Sequence, residues 1–351
     1  MGTALANVSR ILPIVTTAYA PSAANNVYWP EMYTNESMMD EKRNAIYFDS
    51  ETPRVFGNAS PFDPELFLPA NPYAEELVSG GVSGKYSPLD VAQWIEALAA
   101  KGRSALAEAE RSAGGRERPE YRRAKVDIEI QAGLGEFFAA KFRAGVLFHL
   151  YQSSGEQMGL RAVIEQYQKA RKAFAAATDA AEGVYAEDVT FGEQPYLRGH
   201  WRDRLPAIDR EISALESMVR EGGVTIVNSQ VARAFQMFVE GRQRPAIQVE
   251  HQAPSSFKRG ESLGLSVNAP DKVKEMRLHY RRVNQAETYE ATMMKKQASR
   301  FEGAIDAEYT RTHFPLAYYF EVRMDDGTAG LYPGFSASLT NQPYFVVRGN
   351  D

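Results

Sequence analysis

The apolar period changes once along this chain, and that change restricts the folds open to it. Between residues 85 and 241 apolar side chains recur every third or fourth position, and from about Pro245 they alternate at every second. The first pattern is that of helices with one buried face; the second is that of strands in a sheet. A chain of 351 residues has room for two or three domains and can bury a core in each.

The helical part opens on "GKYSPLDVAQWIEALAAKGRSALAEAE". Ser87 is a suitable N-cap, Pro88 suits the first helical position, and Asp90 lies at the positive end of the helix. Val91, Ile95, Leu98, Ala105 and Ala109 follow at near-helical spacing, and Gly114-Gly115 ends the run. A second helix is predicted from about Pro119 to Tyr151, with Val126, Ile130, Leu134, Phe137, Phe138, Phe142, Val146 and Leu150 on a wide apolar face. After "SSGE" a third uses Leu160, Val163, Ile164, Tyr167, Phe174 and Ala177 and stops at Gly183. Leu205, Ile208, Ile212, Leu215 and Met218 mark a fourth, ended by Gly222-Gly223. Long helices with short connections fold back antiparallel, so residues 85–241 are expected to form a helical bundle.

After a short basic linker, Gly241 to Pro245, come "AIQVEHQ", "SLGLSVNA", "EMRLHYRRV", "TYEATMMKK", "RFEGAIDA", "LAYYFEVRM", "TAGLYPG" and "PYFVVRG". These short β-rich runs predict an immunoglobulin-like or fibronectin-like β-sandwich over 245–351. "MDDGTA" reads as a hairpin turn in which Asp326-Gly327 take positive φ. Tyr318 and Tyr319 must face opposite sides, one into the core and the other outward. Residues 1–84 show little period, and "TPRVFGNASPFDPELFLPANPY" carries Pro53, Pro61, Pro64, Pro69 and Pro72. This part is expected to be an irregular, loop-rich segment packed on the bundle. Within it "AYA", Ala18 to Ala20, resembles a signal-peptide cleavage site, but Arg10 is the only cation ahead of it and Pro13 interrupts the apolar run. The first residues are therefore expected to belong to the fold, and no other stretch reaches the length of a membrane span.

Composition excludes several chemistries. There are no cysteines, which removes thiolate catalysis, disulfides and cysteine-ligated metals. A net charge of −5 provides no broad basic surface for nucleic acid or anionic lipid. His149, His200, His251, His279 and His313 include no i,i+4 pair and no H-E-x-x-H, so no metal site is expected. Asp325-Asp326 offer oxygen ligands to a hard cation, but two adjacent acids at a hairpin are most simply a turn. Walker A, G-x-G-x-x-G and G-x-S-x-G motifs are absent, and no cofactor is expected.

Three stretches carry candidate chemistry. In "NNVYWPEMYTNES", Tyr28, Trp29 and Tyr33 surround Glu31, with Glu36 close by. An aromatic ring stacks on the apolar face of a sugar, and two carboxylates are the minimum for most glycoside hydrolysis. The same residues equally well anchor an irregular segment to a core. In "EDVTFGEQPYLRGHWRDRLPAID", Arg198, His200, Trp201, Arg202, Asp203 and Arg204 crowd the entrance to the fourth helix. Guanidinium groups there suit a carboxylate-bearing sugar, but an internal Arg–Asp network plugged by Trp201 is the plainer reading. In "LHYRRVNQAETY", Tyr280, Arg281, Asn284, Gln285 and Glu287 supply the ring, amide and acid groups of a sugar-binding surface, or those of a self-satisfied strand-end turn.

Several phrases also carry a resemblance: "SRILPIVTTAYAPSAANNVYWPEMYTN", "VFGNASPFDPELF", "GKYSPLDVAQWIEALA", "VYAEDVTFGEQPYLRGHWRDRLPAID" and "FPLAYYFEVRMDDGTAGLYPGF". Together they resemble the C-terminal part of large bacterial glycoside hydrolase-like proteins whose catalytic barrel is distantly similar to alpha-glucuronidases. The resemblance implies a periplasmic or secreted setting and a cleft completed by Tyr28, Trp29 and Glu31, with the barrel as partner domain or subunit. It assigns no catalytic residue here, and the strand–helix repeats of a barrel are missing. The expected role is thus a non-catalytic portion of a carbohydrate-active enzyme that braces the barrel and contacts glycan. The alternatives are a stand-alone carbohydrate-binding or adhesion protein, and a self-sufficient hydrolase using Glu31 or Glu36.

Overall fold

The computed structural model describes residues 1–19, 39, 63–112, 118–189, 198–221, 229–241, 244–284 and 286–350. They divide into two compact units: Met1–Gly81 with Tyr86–Gly241, and Val82–Lys85 with Arg242–Asp351. All described helices precede all described strands.

The first unit is helical: α1 Gly2–Val8, α2 Ile11–Ala18, α3 Ala70–Ser79, α4 Pro88–Ser112, α5 Pro119–Ser154, α6 Gln157–Ala181, α7 Leu205–Glu221 and α8 Ser229–Glu240. Central to it is α5, which packs against α1, α2, α3, α4, α6 and α8. Every residue from Phe137 to Leu150 is buried except Arg143, so α5 has no single polar face to offer water. Gly133 lets α6 approach closely: a Cβ there would lie 2.9 Å from the Ala177 Cβ and 3.1 Å from the Ala173 carbonyl oxygen. Lys141, fully buried, holds its ammonium 5.6 Å from the Phe137 ring centroid and 5.5 Å from that of Tyr167. The Tyr167 hydroxyl donates to Glu211 of α7, another buried group.

The described residues of 1–84 depart from the irregular segment expected at α1, α2 and α3, while 20–38 and 40–62 lie outside the described residues. The prolines explain the difference. Pro13 and Pro72 are the third residues of α2 and α3, inside the first turn, where the missing N–H has no intrahelical acceptor to lose. Ala4, Val8, Ile11 and Val15 are then buried against the bundle, a tertiary gain that local propensity does not register. Ser87 behaves as expected of a cap: its hydroxyl accepts from the Asp90 amide at 3.1 Å, while Asp90 accepts from the Ser87 amide at 2.7 Å.

Among its described residues the second unit holds nine strands: β1 Ser256–Lys258, β2 Leu263–Asn268, β3 Val273–Arg282, β4 Glu290–Met293, β5 Lys295–Gln297, β6 Arg300–Ile305, β7 Leu316–Met324, β8 Ala329–Tyr332 and β9 Phe345–Asn350. One sheet has the order β1-β9-β7-β3-β4, with β8 also paired to β7, and the other the order β2-β6-β5. Both sheets feed one core in which Leu265, Val267 and Phe301 meet Leu278, Tyr318, Phe320 and Val322. The run "TYEATMMKK" is two strands rather than one, because buried Met294 separates β4 in the larger sheet from β5 in the smaller. "AIQVEHQ" forms no strand; it pairs only as a bridge between Glu250 and Asn268 while Ile247 and Val249 lean on the core. The β7–β8 turn falls where expected, but only Gly327 has positive φ, +83°. Its amide-to-carbonyl closure, Met324 to Thr328 at 2.8 Å, leaves a three-residue loop with glycine at its left-handed position.

Tyr318 and Tyr319 point to opposite faces, and both are buried. Tyr318 joins the core, whereas Tyr319 stacks on His279 with centroids 4.7 Å apart. Its neighbour Glu321 accepts from His279 Nε2 at 3.2 Å and from the Gly84 amide at 2.9 Å. Segment Val82–Lys85 is held further by Arg244, which donates to the Lys85 carbonyl at 2.9 Å and the Gly84 carbonyl at 2.5 Å.

Candidate glycan-contact site

A connected polar cluster of the sheet unit lies where β3 ends. Asn284 accepts the Ala286 amide at 3.1 Å, closing an Asx-type turn that brings Glu287 back beside the strand. Glu287 Oε1 receives Arg282 Nη1 at 3.3 Å and Asn284 Nδ2 at 3.2 Å, and its Oε2 receives the Tyr309 hydroxyl at 3.5 Å. Arg282 also donates to the Tyr309 carbonyl at 3.2 Å and lies over that ring, 4.2 Å from its centroid. Tyr280 meets Tyr309 edge-on, centroids 5.0 Å apart. Both rings are half-buried, and the Arg282–Glu287 pair keeps about a quarter of its side-chain surface in solvent (26% and 27%).

Two further carboxylates border the rings. Glu290 is the β4 partner of Tyr280, and Asp306 follows β6. Burial first, then the charges of Glu290 and Asp306, push the Tyr280 hydroxyl above its usual pKa, so it stays a protonated donor at neutral pH. Glu290 and Asp306 are exposed and make no side-chain hydrogen bond or ion pair among the described residues. Ring edges and faces beside unused acceptor oxygens, an amide and a fixed guanidinium form a surface for a ligand rich in hydroxyls with an apolar flank.

Of the stretch "LHYRRVNQAETY", the structure gathers Tyr280, Asn284 and Glu287. Arg281 points to the opposite face and covers the Tyr289 ring at 4.8 Å, as strand alternation requires. Gln285 lies outside the described residues. Tyr309, Glu290 and Asp306 went unnoticed in the sequence; they join the cluster through cross-strand pairing, which no local pattern announces.

The Arg198–Arg204 stretch forms a clasp. Arg198 Nη2 lies 2.5 Å from Asp188 Oδ2, and Asp188 also accepts the Gly199 amide at 2.8 Å. That carboxylate partner raises the pKa of the Arg198 guanidinium. Gly199 has φ +94°, and a Cβ there would meet Asp203 at 2.6 Å. His200 caps a 3-10 turn, Trp201–Arg204: its Nδ1 accepts the Arg202 amide, and Asp203 accepts the His200 amide at 2.7 Å. Trp201, 6% exposed, packs edge-on against Tyr185 at 5.1 Å. His200 and Trp201 thus spend their surfaces inside the protein, and Arg198 is the member of this trio that faces solvent. Tyr28, Trp29, Glu31, Tyr33 and Glu36 lie outside the described residues. Among the described residues no group of three or more His, Asp or Glu side chains is arranged to hold a metal ion, and no helix is long and apolar enough to cross a membrane.

No family model matches the sequence, and no curated protein matches it. Among solved structures, this chain is similar to a GH138 enzyme targeting pectin rhamnogalacturonan II, with 15% identity and a TM-score of 0.48. The match covers 62% of this chain and 31% of that one, so the chain spans under a third of that enzyme's length.

Proposed function

We propose that this chain is a non-catalytic portion of a glycoside hydrolase-like, carbohydrate-active enzyme. In this role it braces a catalytic barrel supplied by another domain or subunit and contacts glycan through the end of β3. The observation that carries the glycan contact is the pairing of half-buried Tyr280 and Tyr309 with two uncommitted carboxylates, Glu290 and Asp306. The element order supports the non-catalytic half, since helices followed by strands contain no run of alternating strand–helix units among the described residues. The sheet unit is read as an immunoglobulin-like sandwich, supported by the single core its two sheets share. Tyr28, Trp29, Glu31 and Tyr33 remain proposed as one lip of the barrel's cleft, with solvent-facing Arg198 as a further proposed contact, while buried His200 and Trp201 hold the turn that presents it.

The test is binding of the full chain to a broad panel of immobilised glycans, with Tyr309→Ala and the double variant Glu290→Gln/Asp306→Asn compared. Retention of at least one glycan, weakened about tenfold or more in both variants, is expected. Variants that bind as well as the parent chain would remove the site. Turnover of an aryl glycoside by the full chain would instead favour a self-sufficient hydrolase.

A further inference from the structure

We propose that His251 is a proton-operated latch, which fastens a strap, residues 245–252, across both sheets of the second unit and releases it in mild acid. The strap belongs to no strand. Pro245, Ile247, Val249 and His251 are partly buried, in alternation with exposed Ala246, Gln248, Glu250 and Gln252. Ile247 and Val249 lean on the core, and a Cβ on Gly330 of β8 would lie 3.0 Å from Ile247. Among the described residues the strap's backbone makes one bridge: the Glu250 amide donates to the Asn268 carbonyl at 2.8 Å, and the Asn268 amide returns the bond at 2.9 Å. Asn268 closes β2, the end strand of the smaller sheet, so the strap covers part of an otherwise open edge.

His251 supplies the rest of the hold, and both ring nitrogens take part. Nδ1 lies 2.8 Å from the Ser266 carbonyl oxygen of β2, in the smaller sheet, and Nε2 lies 2.9 Å from the Tyr318 hydroxyl of β7, in the larger. A carbonyl oxygen only accepts, so Nδ1 carries the hydrogen, Nε2 is bare, and the Tyr318 hydroxyl donates to it. Burial, with Tyr332 nearby, holds the pKa of that hydroxyl well above its ordinary value, so it remains a donor at neutral and acid pH. The imidazole also meets the rings of Tyr318, Phe320 and Phe345 edge-on, with centroids 5.7, 5.0 and 5.0 Å away. Only the neutral ring satisfies every partner.

A second proton on the ring sets Nε2–H against the Tyr318 O–H. The hydroxyl can then accept only by turning its own hydrogen into an apolar core. No carboxylate faces the ring to reward the charge. Glu250 of the strap is exposed, and Arg300 of β6 pairs with Glu302 at 3.3 Å while donating to Ser266 Oγ at 2.9 Å. Glu321 and Arg323 of β7 and Arg348 of β9 fall on the opposite face of their sheet by strand alternation, β2 carries no charge, and β8 brings only the Tyr332 phenol. Burial accordingly lowers the His251 pKa, against the raising effect of the Ser266 bond. The fold favours the neutral ring, so its hold is complete above the ordinary pKa of 6.5 and is lost as pH falls from there through the lowered value. Glu321 loses its proton-free form only below 4.5, so the two acid responses separate. At the other end of the strap, Arg244 grips the Gly84 and Lys85 carbonyls with a guanidinium that does not titrate in this range, and opening is confined to 245–252.

The experiment is hydrogen exchange of the full chain at pH 7.5 and pH 5, resolved by peptide and corrected for the intrinsic pH dependence of exchange. Protection of the peptide spanning the Glu250 amide should fall about tenfold or more, while that of β3 and β7 is kept. His251→Gln retains a donor and an acceptor but no titration, and should hold the strap equally at both pH values. Tyr318→Phe removes the hydroxyl that only the neutral ring can accept from, and should move the midpoint of opening up towards 6.5. An NMR titration of labelled histidine in the parent chain reads the latch directly, with a His251 midpoint below 6.5 expected. A midpoint at 6.5 or above overturns the proposal, as does strap protection that stays constant, falls equally in His251→Gln, or falls together with that of β3 and β7. Should a variant fail to fold, the ring titration and exchange of the parent chain decide alone. His251 and Tyr318 are separate from the residues of the glycan site, so either reading can fail by itself.

Discussion

Tyr167→Phe removes one oxygen atom from the middle of the helical unit and leaves the ring in place. That hydroxyl is fully buried and donates to Glu211, a carboxylate 7% exposed on α7. Burial and the neighbouring carboxylate hold the Tyr167 pKa well above its ordinary value, so the proton stays on the oxygen and the bond is always made. Its removal leaves a buried charged acceptor short of a donor, a loss of about 1.5–3 kcal/mol for a bond to a charged group. The ammonium of Lys141 still faces the ring, so the substitution isolates the hydroxyl from the cation–π contact. On a domain of 150–250 residues about 2 kcal/mol lowers the melting temperature by roughly 4–8 °C. Tyr185→Phe supplies the contrast: its hydroxyl lies 2.5 Å from Asp127, but the residue is 36% exposed and water replaces the lost partner. That variant is expected to lose under about 1 kcal/mol. Helical circular dichroism followed against temperature and urea measures both. Equal stability of the two variants, or a Tyr167→Phe chain as stable as the parent, would refute the inference that burial makes this bond strong.

Other expectations rest on single distances. Gly133→Ala should gain about 1 kcal/mol of helix propensity. It should lose about 1–3 kcal/mol because the new methyl meets the Ala173 carbonyl and the Ala177 methyl. Adding Ala177→Gly should recover part of the steric loss, and urea midpoints of the single and double variants decide the matter. In the sheet unit, the hydrogen bond from His279 and then the Gly84 amide bring the Glu321 pKa from 4.5 down to about 2. The carboxylate is the favoured form in the fold, so its contribution is complete above pH 4.5 and is lost as pH falls towards 2. A Glu321→Gln chain should lack that part of the acid dependence, on the order of 3 kcal/mol, and parallel pH–stability curves for the two chains would count against it. Gly84→Ala places a Cβ 2.9 Å from the Glu321 side chain and 3.0 Å from the Gly330 carbonyl. It should destabilise the sheet unit by about 1–3 kcal/mol, read from near-ultraviolet circular dichroism. An unchanged unfolding transition would mean that the segment sits more loosely than described.

The helices could be read from spacing because their apolar faces repeat over many turns. Val91, Ile95 and Leu98, and then Leu160, Val163, Tyr167 and Phe174, are buried where their periodicity marks them, with Ile164 partly buried beside them. Prolines misled, since Pro13 and Pro72 break a helix only after its first turn and both lie within it. The short helix α8 buries Val231 and Ala234, too brief a repeat to stand out beside longer neighbours. For the sheets, alternation located most strands but not the sheet each joins, which is why the change of sheet at Met294 was invisible. The candidate site was half legible. Tyr280, Asn284 and Glu287 are neighbours in sequence, whereas Tyr309 and Asp306 reach them only through the packing of separate strands.

The place of Val82–Lys85 bears on how this protein can be divided. These residues precede α4, yet they belong to the unit whose other residues begin at Arg242. A cut at the linker after Gly241 would carry away the sheets and leave behind the backbone donor to Glu321 and the carbonyls that Arg244 holds. The C-terminal unit is thus not a cassette that recombination can transplant in one piece. A graft that keeps its native acid tolerance needs this short tetrapeptide supplied as well, in cis or as a complementing fragment.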